Sequence, residues 1–553
     1  MSTSSTTIEV SDWKQLALSK RVATFNRIPK NWLLPIEQVS QYTETNPISV
    51  IDVPRTSGLL TEQELEITER YDATDLVALM AKGELTSVSV VTAFCKRAAI
   101  AHQTTNCLTE IMFDEALARA HECDAYLKEH GRPIGPLHGL PISLKDSFNV
   151  KGVQSTIGYV SFIANPPSSM NSAVVEILYE AGAVFYVKTN LPQTMMTADS
   201  HNNIFGRTLN PYNLTRTAGG STGGEGALVA MKGSVLGVAT DIAGSNRIPA
   251  VCCGISSIKP SALRVPFSGG VPPGRVGSPG QIAPVAGPCG RSVRDYELFL
   301  RTVIAVRPWL VDPMVLNIPW RTPDAGIRTK KLRFGLIRAT PSRPVHPPIA
   351  RALHTTATSL REAGHSIILL DDKVGDMYAD VILAYKHLML DTANTPIQHL
   401  KASGEDPIPS LAISGFPELK DWKPSLDELW DMNMQRVGVL RKYQSLVVNE
   451  DLDAIIMPAY QAVAPKHDSY GLPIYTAFVN LIDYPAGILP VGKADKAADA
   501  QFLKEDVAYD PPYDAEAVEG LPTHIQIVGK PLMDEELLEV MGVVEAMLKE
   551  VNP

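Results

Sequence analysis

The chain of 553 residues can hold two or three domains or one large α/β domain, and its 45% apolar and 20% charged residues are the proportions of a globular protein. A net charge of -10 leaves no basic footprint for a nucleic acid. The six cysteines, Cys95, Cys107, Cys123, Cys252, Cys253 and Cys289, form no C-x-x-C pair, so neither a disulfide framework nor a zinc knuckle is indicated, and they read as buried thiols in a reducing compartment.

The opening MSTSSTTIEVSDWKQ lacks a basic flank followed by an apolar run, and no stretch approaches the roughly 18 continuous apolar residues of a spanning helix. The expectation is a cytoplasmic protein without an integral membrane segment. Residues 1–57 are polar, proline-dotted and weakly periodic, which predicts an arm lying across a larger body, residues 58–553. That body opens at Thr61-Glu62-Gln63-Glu64, a capping box. Helices are predicted over 74–82, 87–102 and 114–130, the first and last stopped by Gly83 and Gly131. A short apolar strand follows at 140–144, then a helix at 171–181 and a strand at 183–187. Further on come strands at 332–337, 366–370, 452–457 and 525–528, a helix at 349–363 and a terminal helix from Asp534. Alternation of this kind predicts an α/β fold whose parallel or mixed sheet is covered by helices on both sides. The Gly/Pro-dense stretch 266–288 reads as a loop bordering a site.

Between 219 and 250 the sequence GGSTGGEGALVAMKGSVLGVATDIAGSNRIPA sets Ser221 and Ser245 in two glycine-rich turns, with a helix-like and a strand-like piece between them. A phosphate cradle would expose backbone N–H groups in this way, but GxxxxGK[ST] and a correctly spaced GxGxxG are both missing. Gly219 to Gly223 formally satisfy the GxSxG of a hydrolase elbow. That motif needs an apolar strand before the serine, and NPYNLTRT is turn-rich and polar.

The third reading joins both serines to Lys145 of PLHGLPISLKD. Together with GGSTGGEG and TDIAGSNRIPA, this set resembles the amidase signature family, and FGRTLNP and GLPTHIQIVGK extend the likeness over most of residues 58–553. It is closest to the acetamidase-type enzymes and shares the GGxGG-EGAL wording of fatty-acid amide hydrolases. The resemblance implies the amidase signature fold, with a large mixed central sheet, and hydrolysis of a small-molecule carboxylic amide without cofactor or metal. By motif position it implies Ser245 as nucleophile, Ser221 as bridging serine behind a cis peptide, and Lys145 as base. It implies an oxyanion hole from the N–H groups of Ile242, Ala243, Gly244 and Ser245, and substrate contact at Met195, Met196, Gly219 and Gly220. Thr222, Asp241 and Arg247 are implied to brace the turns.

Two positions depart from the family wording: Ala243 replaces a glycine and Asn246 an apolar residue. If residue 243 needs a positive φ, its Cβ is strained by about 1 kcal/mol. Asn246 either faces the scaffold or re-tunes access to the nucleophile. An acyl transferase and a silent homologue acting by binding therefore stay open beside the hydrolase, as does a homodimer. The twelve histidines show no HExxH. His138 reads as fixing a turn and Cys252-Cys253 as core.

Overall fold

The computed structural model describes residues 13–277, 281–323 and 325–551. Residues 1–12 of the expected arm and 278–280 of the predicted loop lie outside them. Each predicted helix forms within a few residues of its expected bounds: Ala73–Ala81, Ser87–Thr105, Phe113–His130, Ala173–Glu180, Pro347–Glu362 and Asp534–Val551. Local chemistry marks the ends. Thr61 and Glu64 form a reciprocal capping box, and Gly131 closes its helix in the left-handed region at φ +64°.

Strands β1 (Leu108–Ile111), β2 (Pro141–Lys145) and β3 (Val184–Thr189) come first, and a small hairpin pairs β4 (His201–Asn202) with β5 (Gly206–Arg207). Next are β6 (Leu236–Asp241), β7 (Ser256–Lys259), β8 (Val285–Gly290), β9 (Arg333–Leu336) and β10 (Ser366–Leu369). The last are β11 (Ala454–Met457), β12 (Ala486–Lys493) and β13 (Pro522–Val528). All but the hairpin join one sheet in the order β1-β3-β2-β6-β8-β7-β12-β13-β11-β9-β10. β2 pairs in parallel with β3 and β6, and β9 with β10 and β11, while β8, β7, β12 and β13 run antiparallel through the middle. The sheet is thus mixed and flanked by helices, as the alternation of elements predicts.

The stretch read as a loop at 266–288 already contains the start of β8. Gly and Pro in VAGPCG argue for a turn, but the strand lies between β6 and β7 and is buried throughout, where small residues suit close pairing. Two helices escape the periodicity for the opposite reason. Trp13–Phe25 and Leu426–Asn449 are largely exposed, with two buried residues each, so their apolar stripes are faint. The N-terminal segment is tied to the body by Lys20 to Glu110 at 2.5 Å, Gln103 to the backbone of Trp32 and Leu34, and Val50 N–H to the Pro211 carbonyl. Among the described residues no helix is long and apolar enough to cross a membrane.

The loop after β7 is fastened to the terminal helix by a buried charge cluster. Arg264 reaches Asp534 at 3.1 Å and Glu535 at 2.7 Å, all three about 1% exposed or less. Removing the cation leaves Asp534 buried without its ion pair and Glu535 with Arg321 alone, at 3.0 Å. Arg264→Met is expected to lower the unfolding free energy by about 3–5 kcal/mol in urea denaturation; a loss below about 1 kcal/mol, the scale of a surface pair, would contradict this account.

Candidate active site

β2 and β6 lie side by side in parallel, with Leu144 opposite Val238. Lys145, the last residue of β2, and Asp241, the last of β6, therefore finish at the same rim of the sheet. The carboxyl ends of parallel strands are where α/β sheets open crevices. Both glycine-rich turns meet there.

In the first turn Ser200, which no motif singled out, acts as a clamp. Its Oγ donates to the Gly219 carbonyl at 2.9 Å and accepts the Gly223 N–H at 2.9 Å. The Gly220-Ser221 peptide is cis, as the family resemblance implies. Ser221, 2% exposed, accepts a hydrogen bond from Lys145 Nζ at 2.6 Å, and the same nitrogen donates to Thr240 Oγ1 at 2.7 Å. Burial, opposed by the negative charges of Asp241 and Glu225, lowers the Lys145 ammonium from its ordinary value to about 7. An amine poised there can take up a proton at neutral pH.

In the second turn Asp241 is the organising side chain. Its oxygens accept the N–H groups of Gly244 (2.9 Å) and Asn246 (3.3 Å) and both faces of Arg247, Nε at 2.9 Å and Nη2 at 2.9 Å. Asn480 adds a fifth donor at 3.0 Å. Burial alone would raise this carboxyl, but the Arg247 charge and the hydrogen bonds bring it down to about 2. Arg247 is wholly buried and also reaches Gln526, Asn480 and the Thr476 carbonyl, so it braces the turn from behind.

The N–H groups of this turn differ in their partners. The Gly244 N–H is committed to Asp241, whereas among the described residues none accepts from the N–H groups of Ile242, Ala243 or Ser245. Nor does Ala243 need a positive φ. That demand falls on Gly244 at φ +120°, where a Cβ would meet Thr476 Oγ1 at 2.2 Å. Asn246 faces the scaffold, donating to the carbonyls of Ile258 (2.9 Å) and Pro288 (3.2 Å).

Ser245, 9% exposed, lines a cavity with Met195, Met196, Gly220, Ile242, Ala243 and Tyr385. The room inside for a water-sized molecule is about 20 Å³. Gly219 instead backs onto Ile248 and Pro249. Thr222 is buried beside the turn, and its hydroxyl finds no partner. Among the described residues no hydrogen bond joins Ser221 to Ser245. A wider groove, beside the helices Val293–Ala305 and Asp534–Val551, shares none of these residues, and its charges pair with one another, Arg294 with Asp72 and Arg328 with Glu539. His138 Nδ1 accepts the Ile134 N–H and so fixes a turn, and all six cysteines are free and buried. Among the described residues no group of three or more His, Cys, Asp or Glu side chains could hold a metal ion.

Residues 89–538 match the family model described as Amidase. An amidase of Gibberella moniliformis is 39% identical over 97% of this chain and 99% of its own, and an acetamidase of Emericella nidulans is 38% identical over 98% and 99%. Among solved structures, a fatty acid amide hydrolase aligns with a TM-score of 0.88 at 34% identity, covering 97% of this chain and 95% of that one. A bacterial aryl acylamidase aligns with a TM-score of 0.69 over 86% and 96%, at 21% identity, a likeness of fold alone.

The two adjacent small residues of the second turn should respond to different degrees. Gly244→Ala meets both a forbidden φ and a hydroxyl, so it should cost about 2 kcal/mol, a fall of about 2 °C in thermal melting for a chain of this length. Ala243→Gly should cost no more than about 1 kcal/mol. Equal melting temperatures for the two variants would overturn this reading of the turn.

Proposed function

Because this chain belongs to the amidase signature family and is an amide-hydrolysing enzyme, we propose that it works through Ser245 as nucleophile, Ser221 as relay and Lys145 as base, by way of an acyl-enzyme. The observation that carries the reading is the 2.6 Å contact of a fully buried Lys145 with Ser221. Once its amine is neutral, the same contact reverses, and the nitrogen accepts from the Ser221 hydroxyl. Ser221 in turn takes the proton of Ser245, whose Oγ attacks the amide carbonyl. Hydrogen bonds between catalytic groups commonly tighten only in the substrate complex, which suits a resting Ser221 and Ser245 that are not yet bonded.

Negative charge then develops on the carbonyl oxygen, and the N–H groups of Ile242, Ala243 and Ser245 are the donors available to it. Collapse of the tetrahedral intermediate sends the proton from Lys145 through Ser221 to the leaving nitrogen, which departs as ammonia or amine. Water repeats the sequence on the acyl-Ser245 ester and regenerates the free serine. A relative named acetamidase points to a short aliphatic acyl group, which the cavity beside Ser245 would receive. Met195 and Met196 form part of its wall, and their flexible thioethers set its depth.

Ser245→Ala and Lys145→Ala should each lower turnover of acetamide or propionamide by at least about 10²-fold with circular dichroism unchanged. A fluorophosphonate should label Ser245; substantial turnover by the Ser245→Ala protein sinks the assignment. The base must be neutral to act and its amine titrates at about 7. The kcat/KM profile should therefore fall as pH drops through that value and level off above it; a profile flat from pH 5 to 9 would exclude Lys145 as the base. Met196→Ala should shift preference toward longer acyl chains, read as the ratio of kcat/KM for hexanamide to that for acetamide.

A further inference from the structure

The helix Gly223–Ala230 that follows the first turn is buried from Gly223 to Val229 and contains one charged side chain, Glu225, itself 0% exposed. Its two carboxyl oxygens are held by hydroxyls on different strands. Oε2 accepts from Ser143 Oγ at 2.5 Å and Oε1 from Thr189 Oγ1 at 3.0 Å. Neither position is arbitrary. Ser143 precedes Lys145 by two residues on β2, and Thr189 is the β3 residue directly opposite Lys145 in the parallel ladder. Side chains two apart along a strand share a face of the sheet, so all three project toward the helix. On the other side Gly237 of β6 stands opposite Ser143, and a Cβ there would fall 2.2 Å from Glu225 Oε2. The strand forgoes a side chain where the carboxyl sits.

Burying a carboxyl in an otherwise apolar helix is costly, and an amide or methylene side chain would fill the space without a charge. We propose that Glu225 is a positioning residue for Lys145: its carboxylate, pinned by the hydroxyls that neighbour this lysine, acts beside Asp241 to keep the buried amine basic enough to take a proton from Ser221. The inference rests on the reading of Lys145 as base.

Of the groups around the pair, two anions can act on the amine, Asp241 and Glu225. Tyr186 of β3 and Cys289 of β8 are pushed far up by burial, and Cys107 before β1 to about 12, so all three stay neutral. Asp241 of β6 favours the charged amine more than Glu225 does, and its pairing with Arg247 fixes that contribution in the frame of the second turn. Lys188 and Asp146 pair with each other at 3.1 Å. Burial raises the Glu225 carboxyl to about 7, while Ser143, Thr189 and Lys145 pull it back toward ionisation. Desolvation by itself would leave Lys145 too weak a base to draw a proton through Ser221; a nearby anion restores that strength.

The test is the pH dependence of kcat/KM for acetamide in the full-length wild-type, Glu225→Gln, Thr189→Val and Lys145→Ala proteins. Glu225→Gln keeps the shape and removes the anion, so the acid limb should move down by about one pH unit, with a lower plateau from the weaker base. Thr189→Val, which withdraws one of the two hydrogen bonds that favour the carboxylate, should shift the limb in the same direction by less, and it carries the test alone if the glutamine protein does not fold. An acid limb that stays in place in the folded variants, whatever happens to yield or melting temperature, overturns the role of Glu225 while leaving Lys145 as base. Retained turnover in Lys145→Ala would overturn the base and the inference together.

Discussion

An amine without water is the constraint on which the rest of this structure depends. Lys145 ends a fully buried strand, and its nitrogen has two hydroxyl partners, Ser221 and Thr240, and, among the described residues, no carboxylate within salt-bridge distance. A lysine paired directly to an acid would be locked as ammonium; one left in water would titrate near its ordinary value. Hydroxyl contact combined with burial is what brings its proton affinity close to neutrality. The parallel neighbours β3 and β6 supply the walls, and the glycine-rich turn brings the hydroxyl.

The second turn solves a different problem, that of holding backbone N–H groups open toward a cavity. Asp241 gathers two of the turn's N–H groups and is itself held by Arg247 and Asn480, so the loop is stiffened from its buried side. That bracing uses the Gly244 donor, while Ile242, Ala243 and Ser245 line the cavity. Stiffness of this kind matters because donors fixed in advance need not reorganise as charge develops. Arg247 belongs to the frame, with every hydrogen bond directed into the protein.

The periodic parts of the chain were legible before the structure. Helices such as Ser87–Thr105 and Asp534–Val551, and strands such as β2 and β3, declare themselves because each buries one face or all of its length. Where burial is slight, as in Leu426–Asn449, the signal fades. Where it is total but the residues are small, as in β8, it resembles a turn. Ser221, Ser245 and Lys145 could be picked out through motif wording. Thr240 and Glu225 stand inside the same motif wording but receive no role from it, and Ser200 lies outside it, since a hydroxyl or a lone acid has no pattern of its own. The one hint at Glu225 was a charge inside an apolar helical run.

By itself the sequence determined the alternation of elements, the glycines that let two turns pack tightly, and the family to which this order of motifs belongs. It did so because periodicity, capping and turn chemistry are local. Only the tertiary structure decided that Ser143, Thr189 and Gly237, from three strands, surround one carboxyl, and that Asp241 takes a donor the motif had assigned elsewhere. Those outcomes depend on strand register and on which buried polar groups find partners. Both are settled by contacts between residues far apart in the chain.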